Sequence, residues 1–498
     1  MTNVFFLLPL WLGALFFSGC NSGGTGTPDT GNDQLASTVS TEEEERLQDL
    51  GRKKAIANFG TYCSGCHGDN ATTFADRKWR WGESADAIFA SIKEGHPDAG
   101  MPGFAQTFSD EEIKQLVGYI RDGMQQVAQY SFSETPQSLE GTTLQTETLK
   151  LRLEEVASDF GQVPWGMAFL PDGGMLITEI GGALYRLSPE GRLEKVSGAP
   201  QVLAQGQGGL LDVVLHPNFN QNQLVYLSYS AQKREGGETK STTAIMRARL
   251  EGTALKQPQT IFEAQPWETT RHHYGSRMAF GPDGLLYFSV GDRGRHQERY
   301  PQDLAKHPGK IHRIRDDGSI PPDNPFAGRS GAQASIYSYG HRNPQGLAFH
   351  PQTGELWSHE HGPRGGDEIN RVQAGANYGW PAISYGINYD GTILTDKTEQ
   401  EGMLQPLKQW TPSIAPSGMA FVTGNRYKGW EGNLLSGSLR YKYLNRSRLQ
   451  GATVAGEEQL LKNLGRLRDV RMGPDGYVYV AVEQPARIYR LVPVDEQN

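Results

Sequence analysis

The five residues Cys63-Ser64-Gly65-Cys66-His67 carry the most specific chemistry in the sequence. Two thiols in the spacing C-x-x-C can each take up one vinyl group of a single haem. The histidine that follows can turn its imidazole onto the iron, which is the pattern of a c-type haem attachment site. A haem held this way relays one electron at a time and performs no substrate chemistry. The competing uses of the motif are a redox thiol pair or half a zinc site. Zinc needs two further Cys or His ligands at close spacing, and the third cysteine of the chain is the distant Cys20. It remains to ask where the electrons originate and where they go.

A second group of side chains is scattered through the rest of the sequence: Gln207, His272, His273, Asp292, Arg342, Asn343, His361, Arg440, Arg466 and Arg468. A neutral imidazole can take a proton near neutral pH, and a carboxylate beside it can orient the ring. Arginines lining a channel are unfavourable unless they meet an anion, so several of them point to a polyanionic small ligand. These residues act together only in a fold that brings distant segments to one mouth.

Internal repeats supply that fold. Six passages, 165–179, 210–230, 276–292, 345–362, 417–439 and 467–483, share an apolar strand, a turn often written Pro-Asp-Gly, and a second strand of alternating apolar residues. Pro sets φ at the turn and Gly accepts positive φ. The alternation is the period of a half-buried strand. Units recurring at roughly sixty residues, longer than a WD40 blade, predict a six-bladed β-propeller. Lys150–Glu155 also alternates and is expected to close the ring as the outer strand of the last blade, beside Arg487–Val494.

The segment before the repeats reads as helical. Thr41 with Glu44 fits a capping box, and a helix from there to Tyr62 delivers Cys63. A second helix fits Ser84 to Glu94. A third fits Asp110 to about Met124, with its own box in Ser109 and Glu112 and an apolar stripe of Ile113, Leu116, Val117 and Ile120. Residues 129–148 are polar and read as a linker, which leaves 149–498 for the propeller. The expected fold class is mainly β: a six-bladed β-propeller preceded by a small all-α domain over 41–128.

The N-terminus reads as a targeting segment, with Val4 to Phe17 almost wholly apolar. Phe17-Ser18-Gly19-Cys20 resembles the lipobox of bacterial lipoproteins, whose cleavage would leave Cys20 as a lipidated N-terminus; an ordinary signal peptide or an uncleaved anchor is the alternative. Residues 21–40 then form a Gly/Ser/Thr-rich tether, whose average reach is roughly 25 Å. The expected location is outside the cytoplasm, on the periplasmic or cell-envelope side of a membrane. A net charge of −8 with no basic stripe argues against nucleic acid as a partner.

Two family resemblances extend these readings. Residues 41–128 look like a small class I cytochrome c. That resemblance makes Met101, in Gly100-Met101-Pro102-Gly103-Phe104, the second axial ligand of the haem iron beside His67, with His96 as the competing ligand. Residues 150–494 look like the soluble quinoprotein glucose dehydrogenases, also called glucose/sorbosone or aldose sugar dehydrogenases. The stretches that carry this are 275–292, 316–326, 340–351 (GHRNPQGLAFHP), 360–370 (EHGPRGGDEIN), 375–381 (GANYGWP) and 466–476. The family consists of six-bladed propellers that bind pyrroloquinoline quinone (PQQ) and calcium.

Carried over by position, the resemblance implies His273 as general base, Asp292 as the acid that orients it, and Gln207 as a substrate contact. Arg342 and Asn343 would face the quinone carbonyls. Ser413, Arg440, Arg466 and Arg468 would bind the cofactor, the last two through its carboxylates, with Lys442 a substitute for Arg440. The carbonyls of Gly362 and Pro363 would hold a catalytic calcium. Glu368 and the carbonyl of Tyr378 would hold a structural one. His361, Arg440 and Ser413 depart from the family residues Gln, Lys and Thr, and EHGPRGG is closer to the broad aldose branch.

Combined, these readings describe a quinohaemoprotein. It would oxidise the C1 hydroxyl of an aldose sugar to a lactone and pass electrons through haem c to a respiratory acceptor (a quinone, a cytochrome or an oxidase). A calcium-dependent propeller lactonase and a non-catalytic sugar-binding redox sensor are the rival readings.

Overall fold

The computed structural model describes residues 41–63, 67, 71–74, 79–97, 101–125, 138–139, 141–389 and 392–494, without the side chains of 41–48, 72 and 73. The apolar N-terminal segment with Cys20, residues 21–40, Cys66, the Thr41–Glu44 capping box and half of the segment read as linker lie outside the described residues.

Among the described residues the N-terminal domain has three long helices, α1 (Thr41–Tyr62), α2 (Ala85–Glu94) and α3 (Asp110–Gln125). The two later starts are capped as their sequences predict. Ser84 Oγ accepts the Ala87 amide at 3.2 Å. Ser109 and Glu112 exchange bonds, the Ser109 amide donating to Glu112 Oε2 at 2.9 Å and the Glu112 amide to Ser109 Oγ at 3.3 Å. The stripe of Ile113, Leu116, Val117 and Ile120 is buried, and it packs with Ala55 and Phe59 of α1 and Ile88 and Ile92 of α2 in one core. Gly123 sits against Ala71: a Cβ there would lie 2.4 Å from that residue's carbonyl.

The rest of the chain forms six antiparallel sheets, five of four strands and one of five. They correspond in order to the six repeats: blade 1 over 164–196, blade 2 over 210–263, blade 3 over 278–339, blade 4 over 344–410, blade 5 over 416–460 and blade 6 over 467–494. The Pro-Asp-Gly turns behave as their chemistry requires. Gly173, Gly284 and Gly476 have φ of 88°, 74° and 79°. The Asp before each accepts an amide two residues on: Gly174 at 2.9 Å, Leu285 at 3.1 Å and Tyr477 at 3.1 Å.

Ring closure follows the expected route, because Lys150–Ala157 pairs antiparallel with Arg487–Val494. The sheet also takes in Thr143–Gln145, paired with Lys150–Arg152. The last part of the segment read as linker is therefore a fifth strand of blade 6.

The first strand of each blade lies innermost. At the centre, Arg277 and Arg471 share two fully buried carboxylates. Arg277 Nη1 lies 2.9 Å from Asp469 and 3.5 Å from Asp212; Arg471 lies 2.6 Å from Asp212 and 2.9 Å from Asp469. The carboxylates in turn accept the Met167 and Met278 amides, so charges from blades 2, 3 and 6 are paired against strands of blades 1 and 3. Removing one member of such a group costs about 3–5 kcal/mol.

Candidate active site

The loop before blade 3 presents His273. Its φ is +54°, a left-handed conformation uncommon for a residue with a Cβ and a mark of functional strain. Three contacts hold it there. The His273 amide donates to Gln207 Oε1 at 2.8 Å, and its Nδ1 lies 2.7 Å from Asp292 Oδ1. Arg293 reaches back under the loop, donating to the carbonyls of His272, Thr270 and Ser241.

Two neighbours on an extended loop would point apart. Because His273 is left-handed, the rings of His272 and His273 instead meet edge to face at 4.7 Å. Only His273 pairs with Asp292. Burial, reinforced by Arg342 and opposed by Asp292, lowers its pKa to about 4, so the ring is neutral near pH 7.

Asp292 is fully buried. Burial alone would raise its pKa, but His273, Arg342 and the Gly294 amide outweigh it and hold the group at about 2. Oδ1 accepts from His273 and from the Gly294 amide at 2.7 Å, and Oδ2 accepts the Trp380 indole N–H at 2.8 Å.

Beside this pair is a cavity of about 540 Å³ whose walls include Gln207, Asn343, His361, Arg466 and Arg468, with Trp165 among its apolar lining. Asn343 Oδ1 accepts the Gly275 amide at 3.1 Å. The two arginines do not stand alone: Arg466 Nε donates to Glu483 at 2.5 Å and Arg468 Nε at 2.8 Å. Burial would raise Glu483, but the two guanidiniums hold it below the usual carboxylate range. The pair thus already has an internal counter-ion, and an incoming polycarboxylate has to share it. The walls fit a planar polyanion edged by guanidiniums and amides. Arg440 is exposed, its Nη1 3.5 Å from the Ser413 carbonyl; its neighbour Leu439, not Arg440, is part of the cavity wall.

The carbonyls read as calcium ligands are engaged within the protein. Arg342 Nη1 donates to the Gly362 carbonyl at 2.6 Å, and Ser413 Oγ lies 3.2 Å from that of Pro363 and 2.9 Å from Asp367. A cation on this loop has to displace the Arg342 contact or share it. Asp367, buried and bonded to the Gly362 and Ala415 amides, has its pKa pushed up to about 6, burial being the larger effect.

The second site has a different character. Glu360 and Glu368 oppose each other across the blade 4 ladder, and Glu368 is pushed up to about 8 by burial and then by Glu360. The buried Asn370 Oδ1 has no hydrogen-bond partner among the described residues. Buried oxygen acceptors in excess of donors suit a hard cation.

In the helical domain, Cys63 and Met101 pack against the same core. The His67 ring lies 5.1 Å from Phe74, which stacks on Trp79. Met101 and His96 exchange backbone hydrogen bonds of 2.8 and 3.1 Å. The His96 ring stacks on Trp81 at 3.6 Å with Nε2 3.0 Å from Ser91 Oγ. The His96 imidazole is thus engaged by Trp81 and Ser91, and the thiol of Cys63, the imidazole of His67 and the thioether of Met101 are donor types that suit a haem.

Three residues around the propeller site escaped the sequence reading. Arg293 adjoins Asp292 but gave no pattern. Trp380 lies in the GANYGWP stretch and meets Asp292 across 88 residues. Glu483 had a signal: the second strands of blades 1, 3, 4 and 6 run into the acids Glu179, Asp292, Glu360 and Glu483.

Comparison with known proteins agrees with this geometry. Residues 161–490 match the family described as Glucose / Sorbosone dehydrogenase, and residues 53–120 match the family described as Cytochrome C oxidase, cbb3-type, subunit III. The chain is 44% identical over 351 residues to the aldose sugar dehydrogenase YliI of Escherichia coli K12, covering 69% of this chain and 93% of that one. It is 30% identical over 409 residues to quinoprotein glucose dehydrogenase B of Acinetobacter calcoaceticus, covering 66% and 84%. Among solved structures, the apo form of the soluble E. coli aldose sugar dehydrogenase superposes with a TM-score of 0.65 at 40% identity, covering 69% of this chain and all of that one. The PQQ-bound aldose sugar dehydrogenase of Streptomyces coelicolor gives 0.57 at 30% identity, covering 70% and 100%. The chain belongs to the glucose/sorbosone dehydrogenase family of oxidoreductases, and it carries a cytochrome c domain ahead of the propeller.

Proposed function

We propose that this chain is an exported quinohaemoprotein that oxidises the C1 hydroxyl of aldose sugars to lactones. The observation that carries the reading is the His273–Asp292 pair at 2.7 Å beside a cavity walled by Arg466, Arg468 and Asn343. PQQ, when bound, supplies a two-electron acceptor for the C1 hydride. Arg466, Arg468, Asn343 and Ser413 would bind and orient it, with Arg342 beside them as a further donor to it. Neutral His273 accepts the hydroxyl proton as the C1–H bond breaks. Asp292 keeps the ring's other nitrogen protonated and stabilises the imidazolium that forms. Gln207 fixes the backbone of the base and contacts substrate. Gly362 and Pro363 take a catalytic calcium, and Glu368 with Tyr378 a structural one.

Lactone formation releases two electrons and two protons. Cys63 and Cys66 would hold a haem c, with His67 and Met101 as the residues to bind its iron, and that haem would supply one-electron transfer to a respiratory acceptor. Cys20 tethers the whole to a membrane as a lipoprotein on the periplasmic or cell-envelope side.

The test is to add PQQ and calcium to the full-length protein with an aldose and an artificial dye. Dye reduction that needs all three, with lactone as product and haem reduced in the absence of dye, is the expected result. Lactone consumption without dye reduction would make the protein a lactonase. Sugar binding without turnover would make it a sensor.

A further inference from the structure

We propose that Trp380 is a positioning residue for the His273–Asp292 pair, its indole N–H locking the carboxylate so that one oxygen serves the imidazole and the other stays occupied. A carboxylate's terminal torsion is soft, and a buried one keeps its charge only if donors satisfy it. Oδ1 of Asp292 has two donors, His273 Nδ1 and the Gly294 amide, both at 2.7 Å. On Oδ2, Trp380 Nε1 at 2.8 Å is the donor among the described residues. An indole N–H donates only and does not titrate, so this bond cannot reverse with pH as one from a histidine or a hydroxyl could.

Trp380 is itself a rigid mount. It is 6% exposed. Its amide donates to the Gly340 carbonyl at 2.9 Å, and its carbonyl accepts from Gln302 Nε2 at 2.8 Å. The Arg342 guanidinium lies over its face, 5.3 Å from the ring centroid. One indole therefore addresses both the acid behind the base and the arginine in front of it. The charged or titratable groups facing Asp292 are His273 and His272 from the preceding loop, Arg342 from the edge of blade 4, and Arg293 on its own segment.

Removing the N–H leaves Oδ2 bare. The carboxylate becomes more basic, draws harder on the proton at His273 Nδ1 and becomes free to turn. The His273 titration must then rise from about 4 towards the ordinary 6.5, and the acid limb of turnover must rise with it. Trp380→Phe keeps most of the ring and loses the donor. Should that variant not fold, β-(3-benzothienyl)alanine at 380 keeps the indole shape with sulfur in place of N–H.

The first readout is the His273 titration by NMR in the full-length, ¹⁵N-histidine-labelled, cofactor-free protein with reduced haem. The expected shift is about one unit upward, a tenfold change in proton affinity. The second is steady-state kinetics with PQQ, calcium and aldose. There kcat should fall about tenfold, the weight of one hydrogen bond to a charged group, with KM and PQQ affinity within about twofold.

A folded variant whose His273 titration and acid limb match the wild type overturns the proposal, whatever its kcat. The proposal rests on His273 as base, yet the two fail separately. If His273→Ala retains turnover while Trp380→Phe still shifts the titration, the base assignment falls and the positioning role stands.

Discussion

A sugar C1 hydroxyl is a weak acid, so hydride loss needs the proton taken at the same time, and His273, held 2.7 Å from Asp292, is the group proposed to take it. General-base catalysis is typically worth about 10² to 10⁴ in rate. His273→Ala should lower turnover of the quinone-loaded enzyme by at least that order with PQQ still bound, and Asp292→Asn should fall between it and wild type. His272→Ala should cost far less, since that ring makes no bond to Asp292; if it proves the inactive variant, the assignment is reversed. The same burial fixes the pH profile. A base lowered to about 4 is neutral at every pH above that, so the acid limb of kcat/KM should lie near 4 and not near the 6.5 of a free histidine. Under the proposed haem ligation, Met101→Ala removes a thioether that would raise the potential. The potential should drop and sugar-dependent haem reduction should slow while dye-linked oxidation persists; an unchanged haem spectrum would assign the ligand to His96. Residue types at the edges of the repeats nominated His272, His273, Asp292, Arg342 and Asn343 alike, and the family resemblance singled out His273 as the base. Trp380 and Glu483 were not legible in the same way. Each acts on a partner that only the closed ring brings near, and the orientation of His272 depended on a backbone angle that no spacing encodes.

At the scale of elements, local chemistry and tertiary contact divide the work. The Pro-Asp-Gly turns, the Ser109–Glu112 capping box and the closing strand, read as Lys150–Glu155 and observed as Lys150–Ala157, were legible because each is specified by neighbours in the chain or by a clear period. The strand Thr143–Gln145 could not, since three residues show no alternation; its place comes from pairing with Lys150–Arg152. The same division separates two contacts of α3. Arg52 and Asp122 bridge α1 and α3 at 2.5 Å, with side chains 50% and 48% exposed, and such a surface pair is worth about 0–1 kcal/mol. Gly123 lies where a Cβ would press on the Ala71 backbone at 2.4 Å, and overpacking of that kind costs about 1–3 kcal/mol. Denaturation of the haem domain followed by its Soret band should therefore show Gly123→Ala clearly destabilised and Arg52→Ala nearly unchanged. Equal effects would mean that the α3 crossing is not a close-packed contact.

For the molecule as a whole, the proposed divalent cation of the propeller and the proposed lipid tether at Cys20 can each be tested separately. Cys20→Ala should release the protein from the membrane fraction; retention there would rule out the lipid tether. The proposed cation site lies in blade 4. Glu368 faces Glu360 across the ladder in a buried setting, and its pKa is pushed up from 4.5 to about 8 by burial and then by that neighbour. Between those two values the native state holds a proton that the unfolded chain has lost, so this group's contribution to stability is present below 4.5 and fades as pH rises through about 8. Under the proposed ligation, calcium on the Glu368 carboxylate and the Tyr378 carbonyl would take the place of that proton. Its binding must therefore compete with protonation and strengthen as pH climbs towards 8. A ligand at a hundred times its Kd stabilises by about 2.7 kcal/mol, enough to read as a shift of melting temperature. The gap between calcium-loaded and chelator-treated protein should be small well below pH 8 and large just above it. In Glu368→Gln, which needs no proton, the gap should lose its pH dependence. A gap of the same size at both pH values in the wild type, or an unchanged pH dependence in the variant, would remove Glu368 from the cation site.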